Sequence, residues 1–314
     1  MKKNWELTYL GLEDARINLH RTDSIWNYQF LINYFSSTDT TPKKKKPLDL
    51  QIKKIDCKRL QLIQDDRWVG EKMIIKSGAL LVNIDKSDLA NQTFIIHSIY
   101  LDQPFFQLQN LDGLRPPIQK AKVVSKQKGL YFNPGNLNLQ VKQIKIKNGS
   151  IWIDDNMNKP EKGFDEAHID MSKLNAEINQ FQFLQDTLKA GIQLSVKDRS
   201  GFELKQLKTQ FKFTPQIMEF DSLDLVTAKS HLRNYYAMKF SDFNEDFSHY
   251  LSKVTMAANF NQSTIHTDDI AYFAPELTNL HTSLKVSGKF LGTVEDYTVT
   301  VSYTHLTLPT NREV

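Results

Sequence analysis

Three pairs of adjacent aspartates, Asp65-Asp66, Asp154-Asp155 and Asp268-Asp269, are the residues whose type and spacing come nearest to a reactive constellation. Two carboxyl groups flanking one bond can serve as acid and base, or as acid and nucleophile, which is the chemistry of glycoside hydrolysis. Neighbouring residues of a strand point to opposite faces, however, and each doublet lies beside turn-like sequence. Solvated turns are therefore the expectation, and a glycan-cleaving β-solenoid is the weakest of three readings. His231, His249 and His266 stand singly, whereas a metal site needs several donors that converge. The single cysteine, Cys57, has no partner for an internal disulfide. Phosphate-cradling glycine loops, nucleophile elbows and Cys/His metal spacings are missing from the sequence. No catalytic residue, cofactor or metal ligand is expected.

The elements that would position any site are announced by a repeat. Apolar residues spaced three, two, five and two apart occur as Leu7, Leu10, Leu12, Ile17, Leu19, then Ile96, Ile99, Leu101, Phe106, Leu108, then Val141, Ile144, Ile146, Ile151, Ile153. A fourth copy, Ile52, Ile55, Cys57, Leu60, Leu62, brings its last pair two residues closer. Start positions 7, 52, 96 and 141 give steps of 45, 44 and 45. A fixed period of this length marks stacking of one supersecondary unit. Cys57 takes the place of Leu12, Leu101 and Ile146, which predicts a small core residue. His97 takes the place of Lys53 and Lys142, which predicts a wet position. Spacings of three and five reverse the parity of a strand, so each copy must contain a bulge or turn.

Composition narrows the class further. Forty basic against 36 acidic side chains leave a net charge of +4 spread along the 314 residues, which argues against nucleic acid as partner. The one dense run, Lys43 to Lys46 between two prolines, reads as a solvated loop. No stretch approaches the ~18 apolar residues that span a bilayer. Alternating runs such as Leu48-Leu50-Ile52, Leu137-Leu139-Val141, Phe181-Phe183, Ile192-Leu194-Val196, Phe211-Phe213 and Leu223-Leu225 predict strands with one apolar face. Short helices are expected around Trp26-Phe30-Tyr34 behind Thr22-Asp23-Ser24, around Phe243-Phe247-Tyr250 behind Ser241-Asp242, and over Ile270 to Leu277. They are read as caps or plugs over sheet surface.

The fold class expected is all-β, an elongated repetitive groove with a few short helices. Residues 1–155 form the repeats, 156–301 continue the β region, and 302–314 read as a non-native tail because the preceding alternation stops there. The chain is expected to be an internal piece of a longer protein.

The stretches Leu12-Glu13-Asp14-Ala15-Arg16-Ile17-Asn18-Leu19 and Trp26-Asn27-Tyr28-Gln29-Phe30-Leu31, followed by the lysine-rich break, resemble the TamB/AsmA-like family. Ser200 to Leu207, Asp269 to Leu277 and Val286 to Val294 are similar to the same family. That resemblance implies a U-shaped, β-taco-like groove in the periplasm, tied to the inner membrane by an anchor outside this chain. It also implies phospholipid acyl chains as cargo and an outer-membrane assembly barrel as partner. Leu10, Leu12, Ile55, Ile99, Leu101, Phe106, Leu139, Val141, Ile144 and Ile146 are the candidate groove-lining residues. A β-propeller interaction module, whose blades have a similar length, is the alternative.

Overall fold

The computed structural model describes residues 8–35, 52–116, 131–274 and 278–307, with side chains as far as residue 300. Leu7, the Lys43 to Lys46 run, and Leu48 with Leu50 lie outside the described residues. The strands are β1 (Tyr9–Glu13), β2 (Arg16–Arg21), β3 (Lys54–Asp66), β4 (Glu71–Asp88), β5 (Thr93–Asp102), β6 (Phe105–Asn110) and β7 (Asn138–Asp155). They continue as β8 (His168–Leu184), β9 (Thr187–Asp198), β10 (Glu203–Thr214), β11 (Ile217–Val226), β12 (His231–Lys239), β13 (Thr255–His266), β14 (Ser283–Gly292) and β15 (Tyr297–Thr307). Four short helices accompany them: α1 (Gln29–Phe35), α2 (Phe243–Ser248), α3 (Tyr250–Lys253) and α4 (Thr267–Ile270).

All fifteen strands belong to one sheet, ordered β1-β3-β4-β5-β7-β8 and then consecutively to β15. β2 prolongs β1 alongside β3, and β6 prolongs β5 between β4 and β7. Among the described residues the path has two ends, β1 and β15, so the sheet is open there. A propeller would divide its strands among separate four-stranded blades, and that architecture is not what forms. The step from 155 to 156 falls in the connection between β7 and β8, two paired strands of the same sheet. β15 runs through Ser302 to Thr307 opposite Ser283.

The 45-residue period has a direct physical origin. β1 and β2 pair in parallel with β3, matching Leu10 to Ile55, Leu12 to Cys57 and Ile17 to Leu62. β5 and β6 pair in parallel with β7, matching Ile96 to Val141, Leu101 to Ile146 and Phe106 to Ile151. Neighbouring parallel strands must carry matched side chains to keep one face apolar, and the crossover between them fixes the offset. The fourth copy keeps this offset throughout: the counterpart of Ile17 is Leu62, and that of Leu19 is Gln64. Leu60 opposes Ser77 instead, which corrects the shortened spacing. Beyond β7 all pairs are antiparallel, so no constant offset exists and the period fades.

Each parity change coincides with a backbone irregularity. Asp14, Arg59, Gln103 and Asn148 hold left-handed φ values of 52°, 51°, 49° and 51°, and they are themselves 45, 44 and 45 residues apart. A left-handed residue interrupts alternation, so apolar side chains five apart return to one face. Arg59 binds the corner beside it, donating to Asp14 at 2.5 and 2.7 Å and to Glu13 at 2.7 Å. A second line of register shifts crosses the later strands near Gln180, Ser222, Asn234 and Gln262, all with positive φ.

The helices sit near their expected places with two corrections. Asp242 caps α2, accepting from the Glu245 N–H at 3.0 Å. Asp23 instead closes a local turn on the Ile25 N–H at 2.7 Å, and α1 begins only at Gln29. The third helix is found at Thr267–Ile270, where His266 Nδ1 accepts from the Asp268 N–H at 3.2 Å and starts it, and residues 271–273 of the expected span are turn; Pro275 to Leu277 lie outside the described residues.

Candidate functional site

Register aligns the apolar residues into ladders that run across the strands. One rung is Leu12, Cys57, Leu80, Leu101, Ile146, Ala176, Leu194, Leu207, Leu225, Leu232, each directly opposite the next from β1 to β12. Beside it run Leu10, Ile55, Val82, Ile99, Ile144, Ile178 and Ile192. A third begins at Phe94 and passes through Leu139, Phe183, Leu188, Phe213, Met218, Met238 and Met256. Val141 stands between Ile96 and Phe181, and Phe106 between Ile75 and Ile151. Directly opposed strand residues share a face, so each ladder is a continuous greasy strip perpendicular to the strands.

On the other face a polar rung crosses the later strands, following Leu81 and Tyr100 of β4 and β5. Lys145, Glu177, Gln193, Lys208, Asp224 and Arg233 follow one another in register, and Lys145 pairs with Glu177 at 3.0 Å. His97 is exposed, 3.6 Å from Asp85, as its position in the repeat predicts.

The apolar face of this single sheet is only partly covered, and the burial pattern records this. Of the ten candidate groove residues Val141 is buried at 2% exposure and Leu12 is exposed at 37%. Leu10, Ile55, Ile99, Leu101, Phe106, Leu139, Ile144 and Ile146 are half-buried. Cys57 is buried, and burial pushes its thiol above the ordinary value. Contiguous half-exposed apolar strips of this kind are the surface feature that ligand grooves and interaction sites share.

The aspartate doublets tie the sheet's loops together. Asp66 accepts a fork from Arg21 at 2.7 and 2.6 Å, and Arg21 lies 4.7 Å over the Trp26 ring. The Arg21 hydrogen bonds hold the Asp66 carboxyl below its usual range. Asp65 pairs with Arg67 at 2.8 Å. Asp155 closes a turn on the Met157 N–H and the Asn158 amide, while Asp154 lies 3.7 Å from His168. Asp269 accepts from Thr227 at 2.7 Å and Ser230 at 2.5 Å, joining α4 to the β11–β12 turn. Asp268 binds Lys229 and His281. His231 contacts Asp224 at 2.5 Å, and His249 contacts Ser248 and the Glu245 carbonyl. Among the described residues no three His, Cys, Asp or Glu side chains are grouped to hold a metal ion. No described helix is long and apolar enough to cross a membrane.

Asp268 gives a pH prediction. Its hydrogen bond from Lys229, then that from His281, pushes its pKa from 3.8 down to about 2. A depressed carboxylate stabilises the fold fully above its unfolded value and loses that contribution as pH falls through its folded value. Lys229→Met is expected to lower Tm by a few degrees at pH 7, with the gap to wild type shrinking as pH falls from 3.8 toward 2. A gap that widens on acidification would contradict this assignment.

No protein-family model matches this chain, and no curated protein matches it. The ladders and their exposure therefore carry the functional argument. Sequence spacing found the parallel strands but missed Leu80, Val82 and Ile75 of β4, which complete the same rungs. An antiparallel strand reverses its spacing, so only a search for constant sums of residue numbers, rather than constant differences, reveals it.

Proposed function

We propose that this chain is part of a non-enzymatic β-groove that holds phospholipid acyl chains along its apolar face and lets them slide between membranes, as the TamB/AsmA-like resemblance suggests. The observation that carries this reading is the apolar rung from Leu12 to Leu232, unbroken across ten neighbouring strands and half-buried at most of its members, with only Cys57 and Ala176 fully buried. Each methylene removed from water contributes about 0.8 kcal/mol. Rungs of similar Leu and Ile side chains offer that contribution nearly equally at every strand, which favours sliding over capture in one deep well. The polar face, with its Lys145–Glu177 pair, keeps the other side in water. In this reading the chain works in the periplasm, anchored to the inner membrane by a segment outside it, with an outer-membrane barrel as partner.

A second reading, assistance to outer-membrane protein assembly, draws on β15, which pairs only with β14 among the described residues. A free strand edge can template a client strand.

Mass spectrometry of organic extracts from the chain, expressed in bacteria and purified without detergent, separates the two. Phospholipid at several molecules per chain is expected, against none in a size-matched soluble control. A folded, lipid-free chain would overturn the conduit and leave the strand-handling reading.

A further inference from the structure

We infer that the α2–α3 hairpin is a built-in stop for acyl chains: it lays the chain's own aromatic side chains over the ladder from Phe94 to Met256 where that ladder crosses β10, β12 and β13, confining lipid bound along it to the earlier strands. The inference rests on the conduit reading and adds where the lipid site ends.

The hairpin leaves β12 and returns to β13, the two strands it covers. From α3 the Tyr250 hydroxyl donates to Met256 Sδ at 3.4 Å and to Met238 Sδ at 3.7 Å. Those two methionines belong to the ladder that starts at Phe94, so α3 lies on the apolar face. Phe243 and Phe247 of α2 continue the cover. Phe243 meets the ladder residue Phe213 edge-on at 5.6 Å, and its ring is 4.5 Å from that of Phe247. Phe132 stacks on Phe213 at 4.9 Å and meets Phe243 edge-on at 6.4 Å. Buried Phe240 touches Phe213, Phe243 and Phe247 at the centre of the cluster.

The cover is pinned rather than loosely laid. Asp186 accepts from the backbone N–H groups of Tyr131, Phe132 and Asn133 at 2.7, 2.8 and 3.1 Å. The Leu251 carbonyl accepts from the N–H groups of Val294 and Glu295. Asp246 accepts from the Ser241 and Asp242 N–H groups at 2.6 and 3.2 Å. At the opposite ends of the same strands, Tyr272 stacks on Phe202 at 4.4 Å and packs edge-on against Phe164 at 6.0 Å. Aromatic rings thus occupy the positions that methylenes would take. An acyl chain advancing along the Phe94–Met256 ladder meets the rings of Phe132 and Phe243 at Phe213 of β10.

The test places photoreactive benzoylphenylalanine at Leu101 or at Met218 of the full chain. Each protein is irradiated with phosphatidylethanolamine vesicles carrying a headgroup-fluorescent phosphatidylethanolamine. Lipid adduct is expected at residue 101 and at least tenfold less at residue 218. The double substitution Phe243→Ala and Phe247→Ala should raise labelling at 218 toward that at 101. Equal labelling of both sites in the otherwise wild-type chain overturns the stop, and that comparison stands even where the double variant fails to fold. A folded double variant with labelling at 218 still low overturns it as well. Absence of adduct at 101 overturns the conduit reading itself.

Discussion

Val141→Asp is expected to abolish cooperative folding of the sheet. Val141 is 2% exposed and stands in register between Ile96 and Phe181. Burying an unpaired carboxylate costs several kcal/mol even after local relaxation. The whole stability of a domain is only about 5–15 kcal/mol. Position matters as much as burial here. β7 is the strand at which the parallel crossovers end and the antiparallel meander begins, so it alone joins β5 and β6 to β8. In a structure of nearest-neighbour contacts, losing one interior strand separates the two flanks. Val141→Thr keeps the shape and adds one hydroxyl, and should cost about 1–3 kcal/mol. Urea unfolding followed by far-ultraviolet circular dichroism distinguishes the two. An aspartate variant with the wild-type midpoint would show that the site is wet.

Leu101→Glu should leave folding nearly intact and slow lipid passage roughly a hundredfold. The side chain is half-buried and belongs to the rung shared by Leu12, Cys57, Leu80 and Ile146. Water reaches a carboxylate there, so stability is largely spared. An acyl chain crossing the same rung must move against a charge, a penalty of about 3 kcal/mol on membrane-insertion scales. Each 1.36 kcal/mol of barrier is a factor of about ten in rate. Leu101→Met, close to the same volume, should behave as wild type. Lys145→Glu, on the polar face, should leave transfer between donor and acceptor vesicles unchanged. Transfer by Leu101→Glu at the wild-type rate would remove the apolar rungs from the mechanism.

How much of this was legible in the sequence depended on strand direction. A parallel pair repeats its apolar pattern in reading order, and Ile96-Ile99-Leu101 over Val141-Ile144-Ile146 is such a repeat, with the very register that forms. An antiparallel partner reverses the pattern, so β4 stayed hidden although Leu80 and Val82 sit directly against Leu101 and Ile99. The bends were legible as parity changes but not as residues. Asp and Asn enter left-handed backbone readily, which suits Asp14 and Asn148; nothing in their types marks Arg59 or Gln103. The sequence context of the aspartate doublets predicts solvated turns, and Asp155 does close one. Asp66 and Asp269 instead form buried or partly buried cross-links to Arg21, Thr227 and Ser230, contacts between residues 39 to 45 positions apart.

The sequence by itself determined the all-β class, the 45-residue offset, the apolar positions of the strands that pair in parallel and the approximate sites of the short helices. These follow from local periodicity, which a strand or helical turn writes directly into residue order. Only the tertiary structure decided that fifteen strands form a single open sheet, that the ladders extend through β12, and that Tyr250 and Phe243 fold back onto the rows they interrupt. Such facts depend on which distant segments meet. Many pairings satisfy one strand's alternation, and only their joint packing selects among them.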